Sequence, residues 1–135
     1  MSAFSWPVTV YIEDTDAGAI VYHANYLKFM ERARTEWLRL HGFTQQSLFG
    51  QGLQLVVRRL ECRYLRPARL DDQLYVGVEV SAFGRCSLTF TQRICRVDEL
   101  LGVAEVDIAC IDVRTLKPSR WPEPLRAVLE EAPCG

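Results

Sequence analysis

The sequence predicts an α+β domain of two layers, with an antiparallel β-sheet wrapped around one central helix. Three observations carry that expectation: one long stretch with helical periodicity, four later runs with the period of two that marks strands, and one short β-rich run before them. One strand, one apolar-striped helix and four long strands bury their faces most simply when the sheet folds over the helix.

Taken in order, Val8-Thr9-Val10-Tyr11-Ile12 is the short β-rich run, and the acidic, glycine-containing stretch Glu13 to Gly18 ends it. From Tyr26, the apolar residues Tyr26, Met30, Ala33, Trp37 and Leu40 recur at alternating steps of four and three. Lys28, Glu31, Arg32, Arg34, Glu36 and Arg39 fall mostly on other faces. His41-Gly42 supplies the stop, because glycine takes the left-handed conformation that closes a helix. Thr44 caps a short further turn through Leu48, which Gly50 and Gly52 then break. The strands expected after Gly52 are Leu53 to Leu65, Leu74 to Ala82, Cys86 to Val97 and Val103 to Val113. They are bounded by Pro67 with Asp71-Asp72, by Phe83-Gly84, by Asp98 to Gly102 and by Lys117-Pro118. The alternation is clearest where Leu74, Val76, Val78 and Val80 interleave with Tyr75, Gly77, Glu79 and Ser81. It recurs over most of the last strand, where Ala104, Val106, Ile108 and Cys110 interleave with Glu105, Asp107 and Ala109. Short connections make the last three strands antiparallel neighbours, since a parallel crossover needs about a dozen residues or more. Trp121-Pro122 to Ala132 is expected to form one short helix.

At 135 residues, 49% hydrophobic and 24% charged, the chain is read as a single domain over residues 1–135, large enough for one core without disulfides or metals. The formal net charge of −1 supplies no global field to draw the chain onto nucleic acid or an anionic membrane, so no nucleic-acid partner is expected. No run approaches the roughly 18 apolar residues of a membrane span, and Met1 to Pro7 carries no signal-peptide pattern; the expected location is the cytoplasm. The five cysteines, at 62, 86, 95, 110 and 134, have wide spacings and no C-x-x-C pair. They read as small reduced hydrophobes rather than a zinc cluster or a redox motif.

Several chemistries lack their parts. There is no G-x-S-x-G elbow, no phosphate-binding G-x-x-x-x-G-K-[ST] loop and no G-x-G-x-x-G, and the only histidines are His23 and His41. A calcium loop starting at Asp14 would put Gly18, Ala19 and Asn25 where an oxygen ligand, glycine and glutamate are required. What stands out is the segment Tyr11 to Tyr26. It places Glu13, Asp14 and Asp16 directly after a strand, followed by an apolar loop that enters the only long helix. A helix N-terminus offers unpaired N–H groups and partial positive charge, suited to an oxygen that gains negative charge in a transition state. An acid or base facing such an anion site is one reading; acidic residues that merely cap the helix and solvate a turn are the other, favoured for Glu13 and Asp14 and level with the first for Asp16.

The residues Glu13-Asp14-Thr15-Asp16-Ala17-Gly18, Ile20-Val21-Tyr22-His23-Ala24-Asn25-Tyr26 and Phe29-Met30-Glu31-Arg32-Ala33-Arg34 closely resemble the signature of the hotdog-fold acyl-CoA thioesterases. The likeness is greatest to the 4-hydroxybenzoyl-CoA thioesterase-like branch, and within it to the thioesterases encoded with the bacterial Tol-Pal envelope system. It continues through Arg66 to Asp72 and Phe90 to Ile94, most of the chain.

That resemblance implies a thioester hydrolase that releases a free acid and coenzyme A. Asp16 would be its essential carboxylate, attacking the carbonyl or activating a water, and the amide of His23 would polarise the thioester oxygen, with its imidazole near enough in sequence to assist. Tyr22 would shape the acyl pocket. Glu31 matches a recurrent family position, but on a helix surface an ion pair with Arg34 or Arg32 accounts for it more simply. Tyr22, Phe29, Met30, Leu48 and Phe49 are the residues expected to set pocket depth. No metal and no other cofactor is expected.

Coenzyme A carries phosphates, and a local basic run is present at Arg58, Arg59, Arg63, Arg66 and Arg69. Strand parity puts Arg59 and Arg63 on one face and Arg58 and Arg66 on the other; Arg58, Arg59 or Arg63 is expected to help hold the nucleotide phosphates, against a plain solvated face. A non-catalytic acyl-CoA or acyl-carrier-protein binding or scaffold protein of envelope lipid metabolism is the competing reading, and the presence of Asp16 argues against it. A hotdog hydratase is disfavoured because its usual histidine motif is missing. Acyl carrier protein is an alternative carrier, and the resemblance implies a homodimer or a homotetramer made of dimers.

Overall fold

The computed structural model describes residues 4–131. Five strands, β1 (Phe4–Thr9), β2 (Leu53–Tyr64), β3 (Gln73–Phe83), β4 (Ser87–Arg96) and β5 (Glu99–Asp112), form one sheet in the order β1-β3-β4-β5-β2. Every neighbouring pair is antiparallel. The helices are α1 (His23–Leu40), α2 (Gln45–Gly50) and α3 (Glu123–Glu131). The chain is thus α+β as expected, and α1 links strands at opposite edges of the sheet.

The inner face of the sheet carries the alternating residues that the sequence marks out. Leu74, Val76, Val78 and Val80 of β3, Leu88, Phe90 and Ile94 of β4, and Ala104, Val106, Ile108 and Cys110 of β5 are all buried. Against them α1 turns Tyr26, Phe29, Met30, Ala33 and Trp37, which is why one apolar stripe suffices to bury it. Phe29, Met30 and Leu48 lie wholly within this core, whereas Phe49 is exposed. Among the described residues, no helix is long and apolar enough to cross a membrane.

The helix signals hold. Gly42 takes φ +88°, its amide donates to the Arg39 carbonyl, and the Phe43 amide donates to the Leu38 carbonyl at 2.9 Å, the pair of bonds that closes a helix through a left-handed residue. Thr44 Oγ1 accepts from the Ser47 amide at 2.9 Å, so α2 is capped where expected, though it runs on to Gly50.

Four further elements depart from their sequence-based boundaries by more than one residue. The first strand is Phe4–Thr9 rather than residues 8–12, because Pro7 is tolerated on an edge strand and Ile12–Asp14 is drawn into a 3-10 turn. The last strand begins at Glu99, not Val103: the β4–β5 turn is only Val97-Asp98, and Gly102 lies inside the strand rather than in the turn. There it is buried opposite Tyr64, and a Cβ would sit 3.2 Å from the Arg63 carbonyl oxygen, so the missing side chain lets the β2 backbone approach closely, with the Tyr26 ring packed at contact distance above. Helix α1 begins three residues before Tyr26, since a helix is entered by its backbone before its apolar stripe starts. The terminal helix begins at Glu123 rather than Trp121 and is described as far as Glu131; Ala132 and Cys134 fall outside the described residues. The other four cysteines are unpaired, and burial pushes the Cys110 thiol up to about 11.

Candidate active site

The stretch between β1 and α1 is held by its own polar groups. Asp14 is buried, with Oδ2 accepting from the Tyr11 amide at 2.9 Å and Oδ1 accepting from Asn25 Nδ2 at 3.0 Å. Asp14 therefore serves the architecture, tying the turn to the first turn of α1. Beyond it, Thr15 and Val21 form an antiparallel bridge, the Asp16 amide donates to the Ile20 carbonyl, and the Tyr22 amide donates to the Asp14 carbonyl. Asp16 and the start of α1 thus belong to one short closed loop.

Asp16 sits at the tip of that loop. Its Oδ1 accepts from the Gly18 amide at 2.9 Å, the local turn that short carboxylates favour, and Ala19 completes the reversal at φ +63°. The Asp16 side chain is exposed, and Oδ2 has no partner among the described residues. One oxygen is fixed by the turn and the other faces solvent.

His23 is the first residue of α1 and Tyr22 its N-cap, with no side-chain cap bond. The Asn25 amide bonds back to the Tyr22 carbonyl at 2.8 Å, whereas the amides of His23 and Ala24 have no acceptor among the described residues. Two adjacent N–H groups at the positive end of an 18-residue helix can receive an anionic oxygen. The Tyr22 and His23 rings lie 4.5 Å apart, tilted by 52°, and Tyr22 is 46% exposed.

Beside the helix start lies a shallow cavity of about 370 Å³, lined by Ile20, Val21, His23, Tyr26, Tyr64, Leu65, Arg66 and Pro67. Its lining is mainly apolar, fit for a hydrocarbon or aromatic group. Asp16 and Tyr22 are not among these lining residues. Tyr64 and Arg66, not singled out as site residues from sequence, are. Tyr64 is marked only by its place near the end of a strand, and Arg66 only by the basic run and the stretch of family likeness, none of which says what that end meets across the fold.

The arginines are arranged differently from simple parity. A register shift between Val57 and Arg59 inserts a bulge, and Arg58 Nη2 reaches Asp107 Oδ2 at 3.3 Å on the same face as Arg59, instead of opposing it. Arg59 and Arg63 do share a face, among Glu61, Glu105, Thr91 and Arg93, away from α1. Arg59 pairs with Glu61 at 3.2 Å; Arg63 makes no ion pair among the described residues. Arg66 pairs with Glu99 at 2.7 Å.

Glu31 also differs from expectation. Arg34 turns inward, where Nη1 donates to Gln92 Oε1 at 2.9 Å, and Arg32 lies over the Phe29 ring at 5.9 Å. Burial pulls the Arg34 guanidinium below its ordinary value, with the charge of Glu31 acting in the other direction. No ion pair of Glu31 forms among the described residues. The buried amide oxygen of Gln92 takes the guanidinium inward, beyond ion-pair distance of Glu31.

Comparisons agree with this architecture. Residues 10–129 match the family model described as the thioesterase-like superfamily. The chain is 47% identical over 129 residues to an acyl-CoA thioester hydrolase YbgC of Escherichia coli O6:H1, covering 95% of this chain and 96% of that protein. It is 48% identical over 127 residues to the acyl-CoA thioesterase YbgC of Haemophilus influenzae, covering 93% of each. Among solved structures, a probable thioesterase from Bartonella henselae superposes with a TM-score of 0.84 at 36% identity, over 90% of this chain and 100% of that one. With its five-stranded antiparallel sheet closed over one long helix, the chain belongs to the thioesterase-like superfamily and has the hotdog fold.

Proposed function

We propose that the protein hydrolyses acyl-CoA thioesters to a free acid and coenzyme A. The observation that carries this reading is the pairing, in one closed loop, of a carboxylate with one free oxygen, Asp16, and the two unpartnered amides that open α1. Asp16 attacks the thioester carbonyl or takes a proton from the water that does so, and the amide of His23 receives the oxygen as it becomes negative. The His23 imidazole assists from the same residue, and Tyr22 borders the acyl group.

So sparse a site is chemically sufficient. Coenzyme A leaves as a thiolate whose pKa is close to that of a cysteine, about 8.5, so its departure barely needs a general acid. One carboxylate and one oxyanion site cover the remaining demands.

Within the same proposal, Arg63, or Arg58 or Arg59 if released from their carboxylate partners, holds the nucleotide phosphates. Loss of coenzyme A affinity in the corresponding Arg→Ala variants tests this; unchanged affinity in all three sinks it. The unpaired edge of β2, with Leu55, Val57 and Leu60 incompletely covered, supports assembly as a dimer or a tetramer of dimers, which light scattering reports directly. Acyl carrier protein is the alternative carrier, and a role beside the Tol-Pal envelope system follows from the sequence likeness.

The test is thiol release from short, long and aromatic acyl-CoA thioesters by the wild type and by Asp16→Asn. Hydrolysis by the wild type, with a fall of about a hundredfold or more in the variant, supports both reaction and carboxylate. A wild type idle on the whole panel, and on acyl carrier protein thioesters, favours the non-catalytic binding protein instead.

A further inference from the structure

We propose that Tyr64 is a positioning residue of the thioester site, which orients and polarises the Ala24 N–H as a second oxyanion donor through the peptide group joining His23 to Ala24. This rests on the function proposed above.

The Tyr64 hydroxyl donates to the His23 carbonyl oxygen at 3.0 Å. Tyr64 comes from the last residue of β2, an edge strand of the sheet, so this bond joins the sheet edge to the first turn of α1. Although 45% exposed, the ring is constrained. It meets Tyr26 edge-on at 5.1 Å and 74°, and stands at 89° to the His23 imidazole, 6.1 Å away. Tyr26 is itself immobilised: its hydroxyl accepts from the Ala68 amide at 2.9 Å and donates to the Arg66 carbonyl at 3.2 Å. Burial pushes the Tyr64 phenol up to about 12, so it keeps the proton that it donates.

The carbonyl of His23 and the N–H of Ala24 are the two ends of one planar, conjugated peptide group. A donor placed on the carbonyl oxygen draws electron density away from the nitrogen and strengthens the N–H as a donor, as in any hydrogen-bonded chain. It also holds the plane of a peptide in the first helical turn, where intrahelical bonds restrain the backbone least. That N–H has no acceptor among the described residues, and it lies next to the equally unpartnered amide of His23. A tetrahedral oxyanion takes two donors better than one, and Tyr64 fixes the second.

Tyr64→Phe tests this, because it keeps the ring and its packing while deleting the donor. Hydrolysis of an acyl-CoA is expected to show kcat reduced about tenfold, with KM changed by less than about twofold and Tm by less than about 2 °C. In the ¹⁵N–¹H spectrum the Ala24 amide is expected to move upfield. An unchanged kcat, or a reduced kcat with an unmoved Ala24 resonance, overturns the proposal. A wild type inactive on acyl thioesters overturns the reading of the reaction and, with it, the oxyanion role of Ala24. The amide shift still decides separately whether Tyr64 governs that peptide.

Discussion

Asp14 and Asn25 are joined by a 3.0 Å hydrogen bond that closes the turn after β1 onto the first turn of α1, with both side chains buried. This separates two acidic residues that look alike in sequence, one buried and bonded through both oxygens, the other exposed with one oxygen unpartnered among the described residues. Asp14→Ala removes the acceptor of two donors and is expected to cost about 1–3 kcal/mol, read as a lower urea midpoint. Asp16→Asn, on an exposed turn that asparagine also forms, is expected to stay within about 0.5 kcal/mol of wild type while losing activity. Equal stability of the two variants contradicts this division.

Gln92 lies in the core without exposure, accepting from Arg34 at 2.9 Å and donating from Nε2 to the Met30 carbonyl at 2.9 Å. Gln92→Leu strands a buried guanidinium and is expected to destabilise by about 2–4 kcal/mol. Adding Arg34→Met should restore much of that loss. Strictly additive single and double variants in a thermodynamic cycle would rule out the coupling.

Gly102→Ala places a methyl group 3.2 Å from the Arg63 carbonyl oxygen and 3.5 Å from the Tyr26 ring. The tight contact is the one to the Arg63 carbonyl, so the β2 backbone opposite must give by a few tenths of an ångström, at a cost of about 1–3 kcal/mol, while the ring is only touched. A Tm equal to or above that of wild type, measured by calorimetry, argues against the close approach.

Cys110 is fully buried, and burial, with Cys86 nearby, lifts its thiol to about 11. A raised thiol pKa stabilises the fold fully below the unfolded value of about 8.5, and this contribution is lost as pH climbs through the folded value. Stability is therefore expected to fall between roughly pH 9 and pH 11, and to fall less in Cys110→Ala. At pH 8, iodoacetamide followed by mass spectrometry should label the half-buried Cys86 and Cys95 before Cys110. Early labelling of Cys110 would mean that the core opens.

Much of the fold is legible in the sequence because it depends on local periodicity. The alternation from Leu74 to Val80 and the stripe from Tyr26 to Trp37 each state which face is buried, and Thr44 and Gly42 mark helix ends by chemistry confined to a few residues. The readings at Gly102 and Glu31 failed where a distant partner intervenes. Gly102 reads as a turn residue until the β2 backbone is seen lying against it, and Glu31 reads as half of an ion pair until Gln92 draws Arg34 inward.

By itself the sequence determined the α+β class, the order of elements, the one long helix and the segment in which Asp16 and His23 lie, because each is written in residues close together along the chain. Only the tertiary structure decided that Asp14 is sealed beneath Asn25 and that a bulge carries Arg58 to the face of Arg59. The same holds for Tyr64, which reaches the His23 carbonyl from 41 residues away. These depend on strand register and on how α1 seats against the sheet, and packing across the whole core sets both.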